Sequence, residues 1–230
     1  MTRLNSPASD RLKVHWHFFR NFPVERAEHP TFLALRAGAE VIESDRYGEK
    51  VLRLADGRML KLFRRKRLIS SAAWYPYAQR FADHCAALAT RGIPCPEVVA
   101  VYRFREMKRD AVLYHPLPGQ TIRQLRAGGL SCEDASQLRR ALAAFIDLLH
   151  ERGVYFRSLH LGNIVRTPDG ALGLIDVADM TLHTRPLGAL ARRRNRRHLL
   201  RAPGDAAWLA QSPDLFSPDP AHVSPERKTP

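Results

Sequence analysis

Along residues 38–63 apolar and polar positions alternate in short runs, and from about residue 71 the apolar positions recur at helical intervals instead. Val41-Ile42, Lys50-Val51-Leu52-Arg53-Leu54 and Met59-Leu60-Lys61-Leu62-Phe63 are apolar or alternating, the period-2 signature of strands. Asp56-Gly57 between the last two predicts a hairpin, because it supplies the positive φ of a type I′ turn. Over 71–91, Tyr77, Phe81, Leu88 and several alanines share one side of a helix whose first turn Pro76 marks. Gly92 ends that helix, and Pro94 and Pro96 prevent continuation. Two more strands are predicted near 97–104 and 110–115.

Pro116 and Pro118-Gly119 then break the chain at an inter-lobe hinge. Ser131 followed by Asp134 has the spacing of a capping box and opens a helix running to about Arg152. Leu138, Leu142, Phe145, Ile146 and Leu149 form its apolar stripe, and Gly153 closes it. Ile164-Val165-Arg166 and Ala171-Leu172-Gly173-Leu174-Ile175 flank Pro168-Asp169-Gly170 as a second hairpin. Residues 186–210 read as helical and very basic. Residues 1–12 are polar and predicted loose, and 212–230, rich in Pro, Ser and Asp, are predicted disordered. The fold class is therefore α+β in two lobes: a strand-rich 1–115, a short helical 116–211, and a tail over 212–230.

Composition narrows the partners. The 230 residues are 45% hydrophobic, enough for a core, and carry a net charge of +14 that favours anionic ligands. Cys85, Cys95 and Cys132 are scattered, with no C-x-x-C, so neither a disulfide framework nor a zinc site is supported. Val14-His15-Trp16-His17-Phe18-Phe19 is interrupted by His and flanked by Arg and Lys, unlike a secretory signal. No run of about 18 apolar residues predicts a spanning helix. The expected location is the cytoplasm, with any membrane contact peripheral at the inner membrane.

The chemistry concentrates after the long helix. Phe156-Arg157-Ser158-Leu159-His160-Leu161-Gly162-Asn163, then Leu174-Ile175-Asp176-Val177-Ala178, follow the layout of a kinase catalytic loop, H-R-D-L-x-x-x-N, and of D-F-G. Asn163 and Asp176 offer hard oxygen ligands of the kind that hold Mg²⁺ beside phosphates. Lys61, in an apolar strand, is placed to reach the α- and β-phosphates of ATP. A lone lysine in a strand is ordinarily solvent-facing; the downstream loops give this one its meaning.

With Leu60-Lys61-Leu62-Phe63-Arg64, Gly92-Ile93-Pro94-Cys95-Pro96, Leu117-Pro118-Gly119-Gln120-Thr121, Arg157–Asn163 and Leu174-Ile175-Asp176 in view, the chain resembles the bacterial lipopolysaccharide core kinase family over about residues 38–201. Some proteins of that type carry the label toluene tolerance protein. The resemblance implies a protein-kinase-like fold, Mg-ATP as cofactor and a saccharide of the lipopolysaccharide core, or another anionic acceptor, as partner. The combined placement of Lys61, Asn163 and Asp176 predicts adenine against the 113–117 hinge, with Tyr114, Pro116 and Val165 as nucleotide contacts beside Lys61.

The departures are chemical. Ser158 stands where the template has its catalytic Asp, and an unactivated hydroxyl is no base at neutral pH. His160 is a candidate replacement, although a histidine in such a loop more often holds backbone; Arg157 either binds phosphate or supports the loop. No G-x-G-x-x-G precedes Lys61, helix 71–91 contains no Glu to pair with it, leaving Gln79 or Asp83, and Ala178 replaces the Gly of D-F-G. Two readings stay open: a sugar kinase and a pseudokinase that binds nucleotide or a partner without transfer. A basic nucleic-acid-binding module rests on charge alone. The aromatic-basic interleaving of single-strand binders is missing. Arg64-Arg65-Lys66-Arg67 and the arginines of 192–197 either meet anionic lipid or saccharide, or form solvated faces. Trp16, Trp74 and Trp208 read as packing residues.

Overall fold

The computed structural model describes residues 22–64 and 75–216. Strands β1 Val24–Ala27, β2 Glu40–Asp45, β3 Gly48–Arg53, β4 Met59–Arg64, β5 Glu97–Phe104 and β6 Arg109–His115 form one sheet in the order β1-β5-β6-β4-β3-β2. All its pairings are antiparallel except that of β1 with β5. Strand alternation assigns its faces. Leu60 and Leu62 of β4 bury with Ala111 and Leu113 of β6 and with Phe32 of α1, His29–Arg36. The intervening Lys61, opposite Val112 in register, is thereby turned to the other face. There Val101, Val112 and Tyr114 pack against Ala78, Phe81, Ala82, Cys85 and Leu88 of α2, Tyr77–Ala89.

The same apolar cluster continues into the helical part. It takes in Leu138, Leu142, Phe145, Ile146 and Leu149, the buried stripe of α4, Cys132–Glu151. Burying each such side chain contributes about 1.5–3 kcal/mol. Before α4 come β7, Gln120–Thr121, and α3, Ile122–Ala127. A full capping box starts α3: Thr121 Oγ1 accepts from Gln124 N–H at 3.2 Å, and Gln124 Oε1 accepts from Thr121 N–H at 2.9 Å. After α4 come β8 Val154–Phe156, a 3₁₀ turn Leu161–Asn163, β9 Ile164–Arg166, β10 Leu172–Leu174 and β11 Met180–Leu182. These make two small sheets, β10-β9-β7 and β11-β8. Helices α5 Ala189–Leu199, α6 Pro203–Leu209 and α7 Pro213–Phe216 complete the α+β, protein-kinase-like fold. Among the described residues no helix is long and apolar enough to cross a membrane.

Two close approaches lock the site's surroundings together. A Cβ on Gly119, whose φ is +124°, would lie 2.1 Å from the Arg166 carbonyl oxygen. A Cβ on Gly173 would lie 2.5 Å from the Pro94 carbonyl oxygen, which accepts from Leu174 N–H at 2.9 Å. The Gly92–Pro96 and Leu117–Thr121 segments thus press against the hairpin that carries the chain towards Asp176.

Several expectations are corrected. Asp56-Gly57 does not make a type I′ turn, which needs positive φ at both central residues. Only Gly57 has it, at +85°; Leu54 and Arg58 close a three-residue loop around Ala55-Asp56-Gly57. Pro168-Asp169-Gly170 repeats that solution, with Gly170 at +88°. The helix expected over 71–91 is seen at Tyr77–Ala89 with Pro76 as its N-cap. The 186–210 stretch is two helices, broken at Arg201-Ala202 ahead of Pro203. Ser131 caps Asp134 N–H at 3.0 Å, but the Asp134 carboxylate returns to the Ser131 hydroxyl rather than to its backbone, so the box is half made. Val41 and Ile42 sit exposed on the edge strand. β1 and α1 went unforeseen, because β1 has no apolar alternation and α1 has no side-chain cap.

The tail is the largest correction. Residues 213–216 form α7, Phe216 is 5% exposed inside the main cluster, and Ser212 Oγ accepts from Arg139 Nε at 2.9 Å. Residues 1–12, Val14–Phe19, Trp74, Arg65–Arg67 and 217–230 lie outside the described residues; Trp208 is buried, with Arg126 and Arg139 over its ring.

Truncation after Gln211 is therefore expected to lower the melting temperature, and Phe216→Ala to cost about 3 kcal/mol by urea unfolding. Burial also pushes the pKa of His84 and His150 below 6.5. The unfolded chain then takes up protons before the native one does, so stability is complete above about pH 6.5 and is lost as pH falls through the folded values. The melting temperature should drop between pH 7.5 and 5.5, and drop less in His84→Asn, whose amide keeps the donor made by Nδ1.

Candidate active site

The site starts from one contact between residues 115 positions apart. Lys61 Nζ donates to Asp176 Oδ1 at 2.6 Å, with the lysine side chain 14% exposed and the aspartate 50%. The face alternation of β4 aims the lysine. A left-handed turn, with Asp176 at φ +55°, aims the carboxylate; Asp tolerates that region better than most residues. From the α2 side, buried His84 donates through Nδ1 to the Val177 carbonyl at 2.7 Å, fixing the backbone just after Asp176. A pair this exposed contributes at most about 1 kcal/mol, so stronger ligands can replace it.

Asn163 ends the 3₁₀ turn and is buried. Its Nδ2 donates to the Ser158 carbonyl at 2.9 Å, and its own carbonyl accepts from Ile175 N–H at 3.0 Å. The amide nitrogen is thus committed to the loop, and Oδ1 is the atom left to act as a cation ligand. One bond ties the catalytic loop internally and the other ties it to the strand leading into Asp176. Asn163 and Asp176 are too few to cage a cation alone, but Mg²⁺ commonly takes one or two protein oxygens and completes its shell with phosphate and water.

The remaining candidates divide. Ser158 Oγ lies 3.5 Å from Asp179 Oδ2, and Arg157 lies 3.7 Å from the other oxygen of the same carboxylate. His160 caps the 3₁₀ turn: its Nδ1 accepts from Gly162 N–H at 3.1 Å. Burial, then the Arg123 charge, hold its pKa below the usual histidine value. Its ring thus holds backbone. Tyr114 is buried with its ring 5.2 Å from that of Phe81, Pro116 is exposed after β6, and Val165 is buried opposite Thr121 and Gly173. Neither Gln79 nor Asp83 meets Lys61. Gln79 donates to Asp83 and to the Phe22 carbonyl, and Asp83 also accepts from the Tyr75 hydroxyl. Asp176 itself takes the lysine.

Two carboxylates escaped the sequence. Asp205 of α6, side chain 4% exposed, receives Arg123 at 2.7 Å, Arg126 at 3.3 Å and Leu161 N–H at 3.3 Å, so it anchors the catalytic loop from behind. Its only signal was a single acid in a strongly basic stretch. Asp179 had a better one: an unassigned second acid three residues after the proposed metal aspartate. The basic helix α5 is also more than a charged face. Its Asn195 is fully buried, accepts from His150 Nε2–H at 3.1 Å and donates to the Phe156 carbonyl at 2.6 Å, which holds β8 in front of the loop.

Two concavities of about 560 Å³ lie away from this constellation, beside α5. In the first, Arg192 pairs with Glu151 at 2.8 Å and Arg196 with Asp147 at 2.6 Å; the second is lined by Tyr155, Thr181 and His183 among others. Neither contains Lys61, Asn163 or Asp176.

A family model described as phosphotransferase enzyme family matches residues 38–154, half of the chain. No curated protein matches the sequence. Among solved structures, the bifunctional kinase-methyltransferase WbdD is similar over 55% of this chain, at 17% identity and a TM-score of 0.40. The similar region spans 28% of that protein's length.

Asp205→Ala leaves two guanidinium groups and the Leu161 N–H without their acceptor. It is expected to cost about 2–4 kcal/mol in denaturant unfolding, with faster proteolysis near residue 161.

Proposed function

We propose that this chain, which belongs to the phosphotransferase enzyme family, binds Mg-ATP between its six-stranded sheet and its helical part and transfers the γ-phosphoryl to a sugar hydroxyl of a lipopolysaccharide core. The Lys61–Asp176 contact carries the reading, because it brings a phosphate-binding cation and a cation-binding anion to one point from opposite ends of the fold. Phosphoryl transfer asks a protein mainly for positioning and charge stabilisation. Lys61 would exchange Asp176 for phosphate oxygens, and Asp176, freed, would turn to the cation together with Asn163 Oδ1. Bound magnesium would neutralise charge on the transferring group. The hinge after β6, near Tyr114 and Pro116, would receive adenine, with Val165 below it. The net charge of +14 favours the approach of both the nucleotide and an anionic saccharide.

Ser158 supports a second reading, a pseudokinase that binds nucleotide without transferring phosphate. The two readings share a site and differ in turnover.

Calorimetric titration of ATP in millimolar Mg²⁺ is expected to show binding that Lys61→Ala and Asp176→Ala abolish and Asp169→Ala, at a hairpin tip, retains. Because Asp176 is half-exposed and solvent can reach the Lys61–Asp176 pair, both site variants should melt within a few degrees of the wild type. No ATP binding by the wild type overturns the proposal. Radiolabel transfer from ATP to purified core saccharide then separates kinase from pseudokinase.

A further inference from the structure

We propose that the Asp179 carboxylate is the general base of this site, taking over at Ser158 the work of the missing loop aspartate. The proposal deepens the phosphotransfer reading above and rests on it. Its starting point is geometric. Asn163 Nδ2 bonds the Ser158 carbonyl and Ile175 N–H bonds the Asn163 carbonyl, so the loop backbone is fixed at residue 158 and again at its far end. The serine side chain has two fewer heavy atoms than aspartate and is one bond shorter, so it stops short of the space a loop carboxylate would fill. The Asp179 carboxylate reaches that space from the facing segment, with Oδ2 3.5 Å from Ser158 Oγ.

Its position is built in. Arg157 N–H donates to the Asp179 carbonyl at 3.2 Å, and the next residue pair, Met180 with Phe156, opens the β8–β11 ladder. Residue 179 is thus pinned beside 157–158 by main-chain bonds. It leaves the same turn as Asp176, so the cation ligand and the proposed base come from one rigid piece of chain. The carboxylate is also available. Its side chain is 44% exposed, the serine contact is at the outer limit of a hydrogen bond, and Arg157 stands 3.7 Å away. A pair so exposed contributes only about 0–1 kcal/mol, which is a weak reason for an acid to sit there. His160, the other candidate, has Nδ1 engaged by Gly162 N–H.

In the step, the acceptor O–H bond breaks as its oxygen forms a bond to the γ-phosphorus of ATP. The bond from that phosphorus to the β,γ-bridging oxygen breaks, and ADP leaves with the electron pair. The proton passes to Asp179 and from there to solvent.

The test uses the full chain with Mg-ATP, water as the acceptor probe and inorganic phosphate release as the readout, alongside calorimetric ATP binding. Asp179→Asn is expected to lower kcat about 10²–10⁴-fold with ATP affinity unchanged, and to flatten the acidic limb of the pH–rate profile. The double variant Ser158→Asp/Asp179→Asn, which returns a carboxylate from the loop side, is expected to recover at least about tenfold over Asp179→Asn. Asp169→Ala is the control. The assignment is overturned by Asp179→Asn turning over within about threefold of wild type, by a double variant no faster than Asp179→Asn, or by a wild type that binds ATP and releases no phosphate. The last result leaves the nucleotide site standing. A wild type that binds no ATP defeats the phosphotransfer reading itself.

Discussion

The apolar cluster that runs from the inner face of the sheet through α2 into α4 is what the site depends on. Phe81 and Leu88 of α2 share one buried cluster with Val112 and Tyr114 of the sheet and with Leu142, Leu149, Leu159 and Leu161 of the helical part. Interiors of this kind are close-packed and transmit position rather than absorb it. Lys61 belongs to one wall of that cluster and Asp176 to the other. Their 2.6 Å contact is a result of the packing, since the pair itself is too exposed to hold two bodies together.

Polar groups refine what the cluster sets roughly. Three buried side chains each fix a stretch of backbone: His84 the chain after Asp176, Asn195 the end of β8, and Asp205 the start of the 3₁₀ turn. Each reaches across from a helix to the loops or to the strand that leads into them. A loop this rich in function cannot be stabilised by its own apolar content, and burying its backbone groups without partners would be costly. The helices supply the partners. The Asp176 and Asp179 carboxylates, to which we propose the chemistry belongs, stay about half-exposed, while Asp205, which braces the loop, is sealed in.

How much of this the sequence disclosed follows from where the signals are local. β3 to β6, α2 and α4 were legible because their apolar periods are long and their ends are marked by Gly or Pro. Lys61 and Asp176, which the fold brings into contact, could be singled out because their spacing to neighbouring elements is itself a pattern. β1 and α1 were not, because pairing at the sheet edge, rather than apolar alternation, makes β1 a strand. The turn at Asp56-Gly57 was misread because one extra residue in the loop changes which positions need positive φ. α7 was misread because Pro, Ser and Asp outweigh Leu215 and Phe216 in composition, whereas in space one well-buried ring suffices to dock four residues. Asp179 and Asp205 act only through residues distant in sequence, 21 and 44 positions away, so no window of the chain displays their roles.

The anchoring of Leu161 by Asp205 has a consequence for how the chain comes into being. Synthesis delivers the catalytic loop 44 residues before its anchor. At about 5–20 residues per second that is a gap of roughly 2–9 s. The sheet, α2 and α4 are already complete by then and can assemble the apolar cluster they share. The loop lacks its Asp205 anchor until α6 emerges, so the nascent protein passes through an interval in which Leu161 is placed only by the loop's own bonds to Ser158 and Ile175.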